Sequence, residues 1–303
     1  MRLDHWIKQL FIIPGLVVAI LLTNPIININ TFIKILIGLL ATSLIASSNY
    51  VINEWLDAKF DKYHPTKKNR SAVVNKLKKE IIYTIYFLLA ISGLIISSFI
   101  SKYFLITELT LWIMGILYNV KPFRLKDIAF IDSLSESINN ALRFLMGWFL
   151  ITSSYLPPIS IILGYWLTGT FLMQIKRYSE YRMINDKNTA SKYRKSFATY
   201  NEDTLLVSSV FYAILAVFFI GIFLIKYKIE LILFIPFFIG LFCLYIYISF
   251  KKDSPVQKPE KLYKEKILIA YLIFLFILFI ILININIEYL DVFINNDLLP
   301  LKK

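Results

Sequence analysis

NYVINEWLDAKFDKYHPTKKNR, residues 49–70, follows directly after a long apolar run. Asn53, Asp57 and Asp61 recur at every fourth position, so an α-helix would stack their oxygens along one face. Charged groups at the end of a membrane-crossing helix are costly and usually functional. A close group of oxygens suits Mg²⁺, which prefers carboxylates together with substrate phosphate oxygens. We therefore predict that these three residues hold Mg²⁺ and take part in catalysis.

Basic residues follow this acidic group at once. Lys67, Lys68 and Arg70 are expected to neutralise the phosphate charge that the metal leaves uncompensated. A plainer interpretation is a solvated helix end in which opposite charges pair one turn apart. The pattern by itself leaves both interpretations open.

Composition restricts the fold class. Of the 303 residues 58% are hydrophobic, whereas a soluble domain has about 45–50%. Apolar runs of about 18–22 residues recur along the chain, which predicts an all-α, polytopic membrane protein. The net charge of +13 is attributed to basic loops, whose partner would be an anionic lipid or substrate. No nucleic-acid partner is expected.

Nine membrane spans are predicted. They cover residues 9–23, 31–52, 80–100, 103–119, 130–152, 158–176, 204–225, 229–250 and 265–287. Most of the 33 lysines and arginines lie at the N-terminus and in the loops after the even-numbered spans. The positive-inside rule then predicts a cell-membrane protein with a cytoplasmic N-terminus and active site.

The loops on that side are expected to form polar caps over residues 53–79, 119–130 and 177–203. At the start of the last one, Lys176 and Arg177 precede Glu180 by about one helical turn. Such bases suit a second anionic group such as a phosphate, and we predict that Lys176, Arg177 and Glu180 bind substrate. Interfacial anchoring is the alternative explanation.

The cap at 119–130 adds bases and leads into a polar span. Lys121 and Arg124 are predicted to bind substrate, as is Lys8 just before the first span. Polar side chains then enter the fifth span, among them Asn139, which we assign to a substrate cavity. Hydrogen bonding between helices is the alternative for these residues.

With these features together, the chain resembles the UbiA superfamily of intramembrane prenyltransferases. The resemblance rests on the N-x-x-x-D-x-x-x-D pattern, the nine spans, the charged loop after span 6 and the YNVKPFRLKD stretch at 118–127. It implies one UbiA-like transmembrane domain over residues 1–303. It also implies that Asn53, Asp57 and Asp61 bind Mg²⁺ and a substrate diphosphate. Glu54 stands where many members have aspartate.

The second motif departs from the common family pattern. Most relatives carry D-x-x-x-D there, whereas this chain has KRYSEYR at 176–182. Together with RLDHWIKQLFIIPG at 2–15 and DKYHPTKKNR at 61–70, this is similar to the decaprenyl-phosphate phosphoribosyltransferase branch. That likeness implies phosphoribosyl pyrophosphate (PRPP) as donor and a polyprenyl phosphate as acceptor.

The favoured hypothesis is therefore Mg²⁺-dependent phosphoribosyl transfer from PRPP to a polyprenyl phosphate, with release of pyrophosphate. The runner-up is prenyl transfer from a prenyl diphosphate to an aromatic, quinone-precursor or glycerol-phosphate acceptor. A non-catalytic lipid-phosphate binder or transporter is a third interpretation, and a homo-oligomer is left open.

Overall fold

The computed structural model describes residues 3–63, 71–74, 78–184, 186–251, 254–257 and 259–293. Every regular element in those ranges is a helix, which confirms the predicted all-α class. The α-helices are α1 (Ile13–Thr23), α2 (Ile29–Asp61), α3 (Ser71–Val74), α4 (Lys79–Ser98), α5 (Lys102–Asn119), α6 (Ile131–Ile151), α7 (Ile159–Ile184), α8 (Lys187–Tyr193), α9 (Glu202–Tyr227), α10 (Ile235–Ser249) and α11 (Lys266–Asn284). Short 3-10 helices include Leu3–Ile12, Leu125–Asp127, Lys195–Ala198 and Ile229–Phe234.

Five helical segments are long and apolar enough to cross a membrane. These are α2, α4, α9, α11 and the continuous segment Ile229–Ser249. The other predicted spans correspond to α1, α5, α6 and α7, which are shorter or less apolar within the described residues. The count of nine spans therefore stays a prediction.

The length of α2 decides where the acidic residues lie. Its N-terminus is fixed by a capping box, in which Asn28 Oδ1 accepts a hydrogen bond from the Thr31 backbone N–H at 3.0 Å. From there the helix continues for 33 residues, about 50 Å at 1.5 Å per residue. A hydrocarbon core of about 30 Å is shorter than that. Residues 53–61, expected at the start of a loop, are thus a helical extension, and α7 likewise continues to Ile184.

Helix α6 lies at the centre of the bundle, where it packs against α1, α5 and α7. Its contact with α1 is close because glycines face the opposing backbone. A Cβ at Gly15 would collide with the carbonyl of Phe144, and a Cβ at Gly147 would collide with the carbonyl of Ile12. Small residues allow this approach between helices in a membrane. The packing holds α6, which begins at the polar cap, in place between the two halves of the chain.

Candidate active site

The end of α2 carries the predicted metal-binding residues. Asn53, Asp57 and Asp61 occupy successive turns of the helix, as their spacing predicts. The side chain of Asp57 is 20% exposed, and Asp61 is buried. The helix thus presents Asp57 to a partly closed site at the boundary of the bundle.

The loop after α5 folds back onto this helix end. Lys126 Nζ lies 2.5 Å from Asp57 Oδ1 and donates a hydrogen bond to Asn53 Oδ1 at 2.9 Å. Arg124 donates from a guanidinium NH₂ to the same Asp57 oxygen at 2.9 Å. Oxygens from two turns of α2 therefore converge on cationic groups. Arg124 was among the predicted residues, whereas Lys126 was not.

Asn119 and Asp127 hold the loop in this position. Lys126 Nζ donates to Asn119 Oδ1 at 2.7 Å, and Arg124 donates to the Asn119 backbone carbonyl at 3.1 Å. Arg124 Nε also pairs with Asp127 at 3.1 Å. The Arg124 backbone has a φ of 35°, in the left-handed region that non-glycine residues rarely adopt. Burial lowers the pKa of Lys126 to about 8, an effect that the charge of Asp57 partly offsets.

The oxygen donors fit the chemistry of Mg²⁺. Asn53 and Asp57 already direct oxygens at one cationic group, the Lys126 ammonium. In the described part of the chain, no three histidine, cysteine, aspartate or glutamate residues are grouped as metal ligands. A Mg²⁺ bound here would thus depend on few protein oxygens and on phosphate oxygens of a substrate, as is usual for this ion. To bind the metal, Asn53 and Asp57 would have to give up their contacts with the Lys126 ammonium.

A second charged cluster lies in the core of the cap, centred on Asp132 of α6. Arg177 Nε donates to Asp132 Oδ2 at 2.6 Å, and a guanidinium NH₂ of Arg177 pairs with Glu136 Oε2 at 2.8 Å. Arg177 is 2% exposed, and Asp132 is completely buried. Tyr118 of α5 donates to the same Glu136 oxygen at 2.8 Å. The guanidinium that was expected to bind a lipid phosphate is thus compensated by two carboxylates of α6.

Asp132 also fixes the loop between α8 and α9. Ser196 Oγ and the Tyr200 hydroxyl donate to it at 3.0 and 2.8 Å. Burial raises the pKa of Tyr200 to about 12, so its hydroxyl stays protonated and able to donate. Arg194 lies 3.6 Å from Asp132, and its Nε is buried with no hydrogen-bond partner among the described residues. The cap is therefore built around one carboxylate that the site prediction did not include.

The other polar side chains of α6 mainly join helices. Ser133 Oγ donates to Gln174 Oε1 at 2.7 Å, and Ser137 pairs with Thr170 at the same separation. Here hydrogen bonding between helices, the alternative explanation, accounts for the pattern. Asn139 Oδ1 is buried and has no partner within the described ranges. Its assignment to a substrate cavity stays a prediction.

A cavity of about 240 Å³ opens beside the Asp57 cluster. Its lining includes four basic residues, Lys59, Lys121, Arg124 and Lys195, together with Leu56 and Phe60. Lys121 and Arg124 were predicted to bind substrate, whereas Lys59 and Lys195 were not. The spacing of the four bases gives no periodic signal, because they come from α2, the 120–124 turn and the 3-10 helix after α8.

The remaining predicted residues either have a position on a helix or lie outside the described residues. Lys176 and Glu180 lie on α7, on either side of Arg177, and Glu180 is buried. Lys8 lies in the 3-10 helix Leu3–Ile12, where its side chain is not described. Lys67, Lys68 and Arg70 lie outside the described residues. Their assignments stay predictions.

Comparison with known proteins decides the family. The sequence matches the UbiA prenyltransferase family over residues 11–280. The chain belongs to this family. UbiA membership and the apolar helices make it a multi-pass membrane protein.

Individual UbiA relatives support the assignment at different levels. A decaprenyl-phosphate phosphoribosyltransferase of Mycolicibacterium smegmatis is 25% identical over 214 residues, which cover 67% of this chain and 62% of that protein's length. A UbiA homologue from Archaeoglobus fulgidus bound to GPP and Mg²⁺ has a TM-score of 0.67 and 17% identity, covering 90% of this chain and 96% of that one. A digeranylgeranylglyceryl phosphate synthase structure has a TM-score of 0.60 and 19% identity, covering 90% and 94%. The two structures establish a common fold.

Proposed function

We propose that this protein is a transferase that moves a phosphoribosyl group from PRPP to a polyprenyl phosphate and releases pyrophosphate in a Mg²⁺-dependent reaction. The observation that carries the proposal is the position of Asp57 beside Asn53, Lys126 and Arg124. Such a site offers oxygens for a divalent cation and bases for the diphosphate that the cation bridges. The likeness to a decaprenyl-phosphate phosphoribosyltransferase supports PRPP as the donor.

In this proposal Asn53, Asp57 and Asp61 hold Mg²⁺. The metal, when bound, supplies charge stabilisation for the leaving pyrophosphate. Arg124 and Lys126 bind the diphosphate oxygens, and Lys67, Lys68 and Arg70 add positive charge from the following segment. An oxygen of the lipid phosphate forms the new bond to C1 of the ribose. The C1–O bond to pyrophosphate breaks, and its electron pair leaves with the pyrophosphate, where the bases stabilise the developing charge.

The lipid phosphate is assigned to the cap at 177–203, with Lys176 and Arg194 as its bases. Arg177 was the first candidate for that contact, but its guanidinium already pairs with Asp132 and Glu136. Arg194 still has a buried N–H group without an acceptor in the part of the chain that is described. A buried donor without an acceptor costs about 1–3 kcal/mol, which an incoming phosphate oxygen would recover. Arg177 then acts as a positioning residue that holds the cap against α6.

Prenyl transfer is the second candidate function. The observation in its favour is the fold shared with Archaeoglobus fulgidus UbiA homologues whose structures were solved with DMAPP or GPP and Mg²⁺. The same Asp57 site would then bind a prenyl diphosphate.

One experiment separates the two functions. Purified enzyme in detergent is given Mg²⁺ and either labelled PRPP with polyprenyl phosphate or labelled geranylgeranyl diphosphate with candidate acceptors. Label from PRPP in the lipid fraction, with an equal amount of pyrophosphate released, is the expected result. Label moving only from geranylgeranyl diphosphate would refute phosphoribosyl transfer and leave prenyl transfer.

A further inference from the structure

The basic cavity beside Asp57 adjoins the cluster that holds the Asp57 carboxylate. Lys59 enters it from α2, Lys121 from the 120–124 turn and Lys195 from the 3-10 helix Lys195–Ala198. Three segments that are distant in sequence thus each direct a base into one concave space. The end of α2, the turn that follows α5 and Lys195 line the cavity.

The charges of this cavity are only partly compensated. Lys195 pairs with Asp127 at 3.5 Å, and Arg124 pairs with Asp57 and Asp127. Among the described residues, neither Lys59 nor Lys121 forms a salt bridge with a carboxylate. A concave surface that retains such an excess of positive charge concentrates anions.

Arg124 links the cavity to the proposed diphosphate site. Its guanidinium lies in the cavity wall and also contacts Asp57 Oδ1 at 2.9 Å. A ligand in the cavity would therefore share a neighbour with a diphosphate held at Asp57. Two anionic groups of one small substrate could occupy both positions.

On the basis of the proposed function, we propose that this cavity binds the phosphate monoester of the soluble sugar donor, the 5-phosphate that PRPP carries in addition to its diphosphate. The cavity is small, its wall holds four bases, and the side chain of Lys195 is 54% exposed. These features suit a water-soluble dianion. A lipid phosphate would instead need an apolar groove continuous with the bilayer, and only Leu56, Phe60 and Val120 are apolar in the lining.

The assignment explains how the enzyme would distinguish its donor from a prenyl diphosphate. Both donors carry a diphosphate that the proposed metal site at Asp57 and the Arg124 guanidinium would bind. Only the sugar donor has a further phosphoryl group for Lys59, Lys121 and Lys195. Specificity of this kind comes from binding energy that the competing donor cannot obtain.

The test uses full-length enzyme in detergent and the probe ribose 5-phosphate, which has the monoester but lacks the diphosphate. Variants are Lys121→Gln, Lys195→Gln and their combination, with Lys121→Arg as the charge-preserving form. Lys192→Gln is the matched control, because Lys192 is an exposed base on α8 outside the cavity lining. Binding of the probe is measured by calorimetry without metal, and the KM values of PRPP and polyprenyl phosphate are measured separately.

We expect the double variant to lose ribose 5-phosphate binding and to raise the KM of PRPP about 10-fold or more, as loss of charge-assisted hydrogen bonds predicts. The KM of polyprenyl phosphate should not change, and Lys121→Arg should restore binding. Turnover of PRPP with an unchanged KM in the double variant would overturn the cavity assignment while the proposed function stands. A rise confined to the KM of the lipid would also overturn it. If the enzyme never turns over PRPP but the double variant still loses ribose 5-phosphate binding, the proposed function is refuted and the cavity is a phosphate-monoester site for another ligand.

Discussion

Lys126 Nζ lies 2.5 Å from Asp57 Oδ1, although the two residues belong to separate segments, the loop after α5 and the end of α2. The same ammonium contacts Asn53 at 2.9 Å. A lysine side chain thus lies where two oxygens of the proposed metal site converge. Metal and lysine cannot both keep their full contacts with these oxygens, so their competition can be measured.

Asp57→Asn is expected to lower turnover about 100-fold or more, since it removes the negative charge that would hold the metal and orient the diphosphate. Asp57 is partly exposed, so the fold should persist. Pyrophosphate release measures activity, and thermal unfolding in detergent measures stability. Asp203→Asn is the control, because it makes the same change at an exposed position in the first turn of α9. Equal activity in Asp57→Asn and wild type would remove Asp57 from the site.

Lys126→Gln should have two opposite effects. Loss of the ammonium removes a base from the diphosphate and should lower kcat about 100-fold. It also removes the cation that occupies Asn53 and Asp57, so the half-saturating Mg²⁺ concentration should fall. Lys126→Arg keeps the charge and should retain more activity. A Lys126→Gln enzyme that needs more Mg²⁺ than wild type would contradict the competition.

The sequence predicted the helices of this fold better than the salt bridges between them. The spacing of Asn53, Asp57 and Asp61 indicated one helical face, and these residues do lie on one helix. That signal is local, because it follows from 3.6 residues per turn. The salt bridges of Lys126 with Asp57 and of Arg177 with Asp132 join distant segments, and no periodicity encodes them.

Helix ends were predicted least well. The predicted span ended at residue 52, where the polar cap over 53–79 begins, but α2 continues to Asp61 because a helix that leaves the bilayer needs no further apolar residues. Arg177 was assigned to a phosphate because it lies at the end of a predicted span. A base at a span end looks available in the sequence, and only the structure places Asp132 and Glu136 against it.

Arg177→Met is expected to destabilise the enzyme by about 3–5 kcal/mol, because it leaves the buried carboxylate of Asp132 without its arginine partner. Asp132→Asn should also destabilise it, and the double variant should lose less than the sum of the two. Thermal unfolding in detergent measures the three variants. Additive losses would mean that the 2.6 Å contact between the two side chains contributes no coupling.

Gly147→Ala should destabilise the bundle by about 1–3 kcal/mol, as overpacking does. The added methyl group would collide with the backbone carbonyl of Ile12, which a side-chain rotation cannot relieve. Gly221→Ala is the control, since a Cβ there would lie 3.4 Å from the end of the Ile235 side chain, an ordinary contact. Equal melting temperatures for the two variants would show that α1 and α6 can separate without cost.

Arg194→Gln tests the lipid-phosphate assignment. Its Nε is buried without an acceptor in the described structure, and its guanidinium lies 3.6 Å from Asp132, which already accepts from Arg177 at 2.6 Å. Removing Arg194 should therefore raise the KM of polyprenyl phosphate about 10-fold, the effect of one charge-assisted hydrogen bond, and leave the KM of PRPP unchanged. Arg182→Gln is the matched control, because the Arg182 side chain is 39% exposed and pairs with Glu202 at 3.5 Å. If Arg194→Gln lowers the melting temperature but leaves both KM values as they were, Arg194 only holds the cap together. The lipid phosphate must then be bound elsewhere.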